Sequence, residues 1–213
     1  TLMFSINHYR QVVKAYLRGL ESLDRTVGFR PVASVASFFV SRVDTVVDQL
    51  LCQLKEQTST EIVKKTCEDL LGKAAIANTR LVYQEFKNFF LEKSFLNFKE
   101  KGFNVQRPLW ASTSTKNPNY RDVLYVEELI GENTINTMPL DTMAAFRSHG
   151  RVTPTLENGL EDAIRTLSLL KDLGVDLDAV TLKLQEDGVK LFLNSFDNLI
   201  ASIAKKQEEI TRV

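Results

Sequence analysis

Three features of the sequence predict an α/β fold with parallel strands. Val32 to Val40 (VASVASFFV) is a nearly continuous apolar run rich in β-branched and aromatic residues, the pattern of a parallel strand covered on both faces. Pro108 to Ala111 is a second, shorter apolar run that empties into Ser112, Thr113, Ser114, Thr115 and Lys116 before Asn117-Pro118 turns the chain. Between and after these runs the apolar spacing is helical, so strands and helices alternate. That alternation implies right-handed crossovers between parallel neighbours.

The elements follow in order. Thr1 to Phe4 is strand-like and passes at once through Ser5 and Asn7, either of which can cap the helix predicted from Tyr9 to Leu20. The chain is expected to begin inside a strand, with a preceding segment outside it. In that first helix Val12, Val13, Tyr16, Leu17 and Leu20 form one apolar face, and Arg10, Lys14 and Arg18 a solvated stripe. Gly28 and Pro31 mark a loop before the Val32 strand. That strand ends in Ser41-Arg42-Val43-Asp44, where Arg42 and Asp44 read as a charged pair at its carboxyl end.

Val43 to Leu54, Glu61 to Leu71 and Lys73 to Phe90 are predicted helices, the last two punctuated by Gly72. With the amphipathic Leu91 to Lys101 they form a helical insertion over residues 55–105, longer than a simple crossover needs. After the Pro108 strand come a loop (Asn117 to Asp122), a helix (Val123 to Ile130), a short strand (Thr134 to Met138) stopped by Pro139, and a helix (Asp141 to His149). His149-Gly150 reads as a helix end, which makes His149 a cap rather than a base. Residues 155–213 are helical: Leu156 or Asn158 to Leu173, Leu177 to Glu186, and Val189 to Ile210, with breaks at Gly174 and Gly188. In the last of these, Leu191, Phe192, Ser195, Phe196, Leu199 and Ile203 are expected to keep one face dry.

Composition narrows the function. With 213 residues, 44% of them hydrophobic, the chain can bury a sizeable core. Lys+Arg 27 against Asp+Glu 27 leaves no net field for nucleic acid or an anionic membrane, so an anion site must be local and its ligand small. Cys52 and Cys67 lie on predicted helices without a CxxC or clustered histidines, which points to free thiols in a reducing, cytoplasmic compartment and to no zinc site. No apolar run is long enough to cross a membrane. No GxGxxG or GxxxxGK[ST] follows any strand, which disfavours a dinucleotide or nucleotide fold and leaves a (β/α) barrel ahead of an open doubly wound sheet. Four strands are half of such a barrel.

Four segments then carry a family resemblance: SVASFFVSRVD (Ser34 to Asp44), QRPLWASTSTKNP (Gln106 to Pro118), LYVEELIG (Leu124 to Gly131) and TINTMP (Thr134 to Pro139). They resemble transaldolase, in its longer-chain branch, and the likeness runs essentially from Thr1 to the C-terminal helix. The resemblance implies a (β/α)8 TIM barrel. Residues 1–213 would form one incomplete barrel domain, covering about the last four βα units, the helical insertion and the C-terminal helices. It implies transfer of a dihydroxyacetone unit between sugar phosphates (sedoheptulose 7-phosphate, glyceraldehyde 3-phosphate, fructose 6-phosphate, erythrose 4-phosphate) in the pentose phosphate pathway. The carrier is a lysine Schiff base that matches a strand before Thr1, and no cofactor or metal is needed.

Residue by residue, Thr1 matches a threonine that helps position the catalytic water, Ser37 a serine lining the substrate channel, and Arg42 the arginine that binds substrate phosphate. Strand alternation places Phe39 on the side of Ser37. Lys116, in the loop after the seventh strand, matches less directly, since many relatives have an arginine near this place; it is assigned to phosphate with Ser112 and Ser114. The competing reading is a non-catalytic phosphosugar-binding half-barrel that pairs with another copy, a homodimer. On either reading the chain alone should expose apolar surface at Thr1 to Phe4 and at Thr134 to Met138.

Overall fold

A computed structural model describes residues 1–23, 31–92 and 95–211. Gly28, expected to mark a loop, lies outside the described residues. The element order is α1 (Ile6–Leu23), β1 (Ser34–Phe39), α2 (Ser41–Gln57), α3 (Glu61–Leu70), α4 (Ala74–Phe90), α5 (Leu96–Glu100), β2 (Gln106–Ala111), α6 (Leu124–Glu127), β3 (Ile135–Asn136), α7 (Leu140–His149), α8 (Leu160–Asp172) and α9 (Leu177–Thr211).

The strands form one parallel sheet in the sequential order β1-β2-β3. Thr1 to Phe4 was expected as a fourth strand. It contributes one parallel bridge, Met3 to Phe38, and a bond from the Phe39 N–H to the Met3 carbonyl at 2.8 Å. Pro108 sits in the middle strand although it has no N–H to donate; β3 pairs only with Leu109 and Trp110, so the proline precedes the stretch bonded on both sides.

Alternation along β1 and β2 sets up two unlike faces. Ala36, Phe38 and Val40, with Pro108 and Trp110, are buried against the helices, and Phe38 meets Trp110 edge to face. Val35, Ser37, Phe39, Arg107 and Leu109 line the opposite face, where Val35 and Arg107 are exposed and Ser37, Phe39 and Leu109 are half-buried. The Val32 run therefore departs from its expected burial on both sides. Its outward positions are only partly covered, Phe39 by Phe4 and Ser37 beside Thr1, while Val35 is exposed.

The helical layer is built mainly on α4. Ala74, Ala75, Ala77, Val82, Phe86 and Phe90 are buried there, with α8 and α2 packed around it. The chain of rings Phe86, Phe90, Phe95, Phe98 and Phe103 closes the lower end of the core. Met3 and Phe4 are buried too, which corrects the expectation that this segment is an exposed apolar edge. They are held by β1 and α4: Met3 bridges Phe38, the Phe4 ring meets Phe39, and Asn78 Nδ2 of α4 bonds the Phe4 carbonyl at 2.8 Å.

Two expectations for the C-terminal region fail. Gly188 does not break a helix: α9 runs continuously from Leu177 to Thr211. The glycine is buried where α9 crosses the N-terminal segment, and a Cβ there would lie 2.7 Å from Leu2 Cδ2, so its smallness serves close packing. Beyond it, Leu191, Phe192, Phe196, Leu199 and Ile203 are exposed, Phe192 at 64%, instead of dry. The apolar spacing is present, but no described element lies against it.

Candidate functional site

The expected site residues gather near the carboxyl ends of β1 and β2. β1 feeds α2 with no intervening loop, so Arg42 lies in the first turn of a 17-residue helix rather than at a strand end. Past the strands the ladder continues: the Val40 N–H bonds the Ala111 carbonyl and the Ser41 N–H bonds the Ser112 carbonyl, both at 3.0 Å. Ser112 adopts a left-handed backbone (φ 57°), which costs a non-glycine residue on the order of 1 kcal/mol. Its Oγ lies 3.1 Å from Ser41 Oγ, and Ser41 itself is buried. Strain of this kind persists where surrounding contacts enforce it, and it concentrates at ligand sites.

Two residues on, Lys116 Nζ donates to Ser114 Oγ at 2.7 Å, and the lysine is exposed. Arg42 is exposed as well, and among the described residues it makes no ion pair or hydrogen bond. Asp44, read as its charged partner, is not bound to it. Deeper in the same region Thr113, fully buried, donates to Asn136 Oδ1 at 2.7 Å and ties the end of β2 to β3.

Thr1, Ser37 and Phe39 lie lower, on the open face of the sheet. Thr1 Oγ1 accepts the Ser37 N–H at 2.7 Å, so its hydroxyl is bonded to backbone in this structure. The Phe39 ring rests 5.5 Å from that of Phe4. Phe39 is paired in the sheet with Ala111, the residue before Ser112.

Sequence reasoning paired Asp44 with Arg42 and missed Asp48; both carboxylates have other partners. Asp44 is 1% exposed and accepts the Ala75 N–H at 2.7 Å and the Tyr125 hydroxyl at 2.8 Å. Asp48, one turn on, accepts the Gly72 N–H at 2.9 Å and the Tyr120 hydroxyl at 2.7 Å. These bonds satisfy the amides at the start of α4, whose own N-cap, Lys73, supplies no side-chain bond. Burial pushes the Asp44 carboxyl up to about 7 and outweighs the amide and phenol bonds that oppose it; burial raises Asp48 as well. Tyr120 and Tyr125 are held well above the ordinary phenol range, first by burial and then by the facing carboxylates. The signal was there: Asp44 and Asp48 recur at i,i+4 beside the buried Val43 and Val47.

His149, expected as a helix cap, ends α7, and its Nε2 lies 2.9 Å from Asp122 Oδ1. Among the described residues no group of three or more His, Cys, Asp or Glu could hold a metal ion, and no helix is long and apolar enough to cross a membrane.

Cations and hydroxyls thus stand at the carboxyl ends of parallel strands, on a helix start and a polar loop, the end of the sheet at which α/β proteins build their ligand sites. The chain belongs to the transaldolase/fructose-6-phosphate aldolase family, whose model matches residues 1–203 and implies a TIM-barrel fold. It is 44% identical over 204 residues to a transaldolase of Thiobacillus denitrificans, an alignment covering 95% of this chain and 55% of that protein. Similar values hold for transaldolases of Trichodesmium erythraeum (39% identical, 100% of this chain, 57% of the relative) and Mycolicibacterium smegmatis (42%, 94% and 52%). The chain thus spans about half the length of these curated relatives.

Proposed function

We propose that residues 1–213 supply the substrate-phosphate half of a transaldolase barrel, and that the Schiff-base lysine resides on a strand preceding Thr1. The observation that carries this reading is the Ser41–Ser112 junction, which brings the start of α2, with Arg42, against the loop that carries Ser114 and Lys116 at the carboxyl ends of β1 and β2. A guanidinium with no protein partner, an ammonium and hydroxyls complement a phosphate dianion. Sequential parallel strand order, extended by the Met3–Phe38 bridge, is that of consecutive strands of a barrel. The helical span 55–105 and the helices of 155–213 are then additions to the barrel's outer layer.

A ketone is attacked only by a neutral amine, which requires a lysine desolvated or set beside another cation. Among the described residues no lysine is buried, and Lys116 is exposed beside Ser114. The covalent step is therefore assigned elsewhere, and this chain alone is expected to be inactive. Thr1 would hold the catalytic water, Ser37 and Phe39 would line the sugar, and the phosphate cluster would anchor ketose and aldose phosphates. A cytoplasmic setting belongs to the same reading.

Borohydride reduction with fructose 6-phosphate tests it. No lysine of this chain should be trapped, while a longer chain carrying the preceding segment should form one adduct there; an adduct on Lys116 would overturn the assignment. In that longer chain Arg42→Ala should raise KM for phosphorylated substrates roughly tenfold or more, the worth of a charged hydrogen bond. An unchanged KM removes Arg42 from the phosphate site.

A further inference from the structure

The two cations of the phosphate cluster sit on different elements. Arg42 is in the first turn of α2, and Lys116 is in the loop between β2 and α6. That loop is fastened to α2 at two points. At its start, Ser41 and Ser112 are joined through backbone (3.0 Å) and side chains (3.1 Å). Beyond Lys116 the chain makes a compact turn, with the Tyr120 N–H on the Asn117 carbonyl at 3.1 Å and the Asn119 N–H on Asn117 Oδ1 at 3.0 Å. Tyr120 then reaches back to α2 and donates its hydroxyl to Asp48 Oδ2 at 2.7 Å.

This second fastening is built with some care. The other oxygen of Asp48 accepts the Gly72 N–H, which fixes the carboxylate plane. Gly72 has a left-handed backbone (φ +70°), and a Cβ on it would lie 2.9 Å from Tyr120 Cζ. Only glycine allows both the turn and the seated ring. Behind it, Tyr125 and Asp44 make a parallel bond at 2.8 Å from α6 to α2.

We propose that the Asp48–Tyr120 hydrogen bond is a positioning contact for phosphate binding, holding the Lys116 loop against α2 so that Lys116 and Arg42 address one phosphate. Neither Asp48 nor Tyr120 touches the ligand. The inference rests on the phosphate reading of Arg42 and Lys116, and the test separates the two.

Inorganic phosphate is titrated into the full 213-residue chain by NMR, following the Lys116 side chain and the Ser112 to Ser114 amides. Arg42→Ala and Lys116→Ala should each weaken binding. If neither does, the phosphate reading fails and the positioning role falls with it. Tyr120→Phe, which keeps the ring and removes only the hydroxyl, should weaken binding about five- to tenfold. Gly72→Ala, which displaces the ring from the other side, should do the same. In a Lys116→Ala background Tyr120→Phe should have no further effect, because the group it positions is gone; a general loosening of the fold would lower affinity equally in both backgrounds. Binding that depends on both cations yet is unchanged by Tyr120→Phe overturns the positioning role and leaves the phosphate site standing. Equal losses in the two backgrounds also overturn it.

Discussion

Replacing Asp44 by Asn tests which of two opposing effects governs the carboxylates of α2. Burial disfavours the charged form, while the start of α4 and the Tyr125 hydroxyl favour it. The balance leaves the folded carboxyl at about 7, against an ordinary 3.8. A carboxylate raised in the folded state binds a proton more tightly there than in the unfolded chain. Its contribution to stability is therefore fully present below about pH 4, falls as pH rises, and is gone above about pH 7. Three units at ~1.4 kcal/mol each amount to roughly 4 kcal/mol across that window.

Asparagine can accept the Ala75 amide through its oxygen and meet the Tyr125 hydroxyl with its NH2, so the variant mimics the protonated acid at every pH. Urea unfolding followed by the fluorescence of Trp110, the single tryptophan and fully buried, reads the difference. Wild type and Asp44→Asn should coincide below about pH 4, and by pH 8 the variant should be the more stable by a few kcal/mol. Parallel pH profiles, or a variant less stable at pH 8, would show that the α4 amides and Tyr125 outweigh burial and that Asp44 is a charged cap.

Ellman's reagent should titrate Cys52, which is exposed, in the native chain and reach the buried Cys67 only on unfolding; two fast thiols would contradict the packing of α3 against α2. Phe196→Asp should alter the stability of this chain by no more than about 0.5 kcal/mol, because the ring is 59% exposed, while lowering the binding of apolar dyes; a large loss in urea unfolding would mean that α9 is covered. Gly150→Ala should cost about 1–3 kcal/mol, since the new Cβ would sit 2.5 Å from the Phe146 carbonyl oxygen. A thermal melt unchanged by that variant would mean that the end of α7 relaxes freely.

Where local pattern and tertiary packing agree, the sequence was readable. α1 to α4 and α7 follow their apolar spacing to within a few residues, and β1 and β2 stand where the apolar runs are densest. Gly188 misled because its propensity cost, about 1 kcal/mol, is small beside the packing of a long helix, and what selects glycine there is Leu2, a residue far away in sequence. The exposed face of α9 misled differently: spacing reveals that an apolar stripe exists and says nothing of what lies on it. Arg42, Ser112, Ser114 and Lys116 were legible as a polar outlet of the sheet, and their assignment to phosphate came from the family resemblance. Asp44 reads in the sequence as the partner of Arg42 because its actual partners, the Ala75 amide and Tyr125, come from distant elements. Tyr120 and Asp48 likewise come from distant elements.

The magnitudes explain why one hydrogen bond suffices to hold the proposed phosphate site ready. Two cations addressing one phosphate from separate elements repel one another when no anion is present; for any two unit charges ~8 Å apart in water that cost is roughly 0.5 kcal/mol, and it grows as a site is desolvated. A neutral hydroxyl bonded to a carboxylate contributes about 1.5–3 kcal/mol, enough to hold the loop against that repulsion. Both oxygens of Asp48 are occupied, one by the Gly72 amide and the other by the Tyr120 hydroxyl. Neither cation is paired with it, so the guanidinium of Arg42 stays available to an anion. A lysine or arginine tied directly to Asp48 would fasten the loop as well, but it would neutralise the charge that the ligand needs.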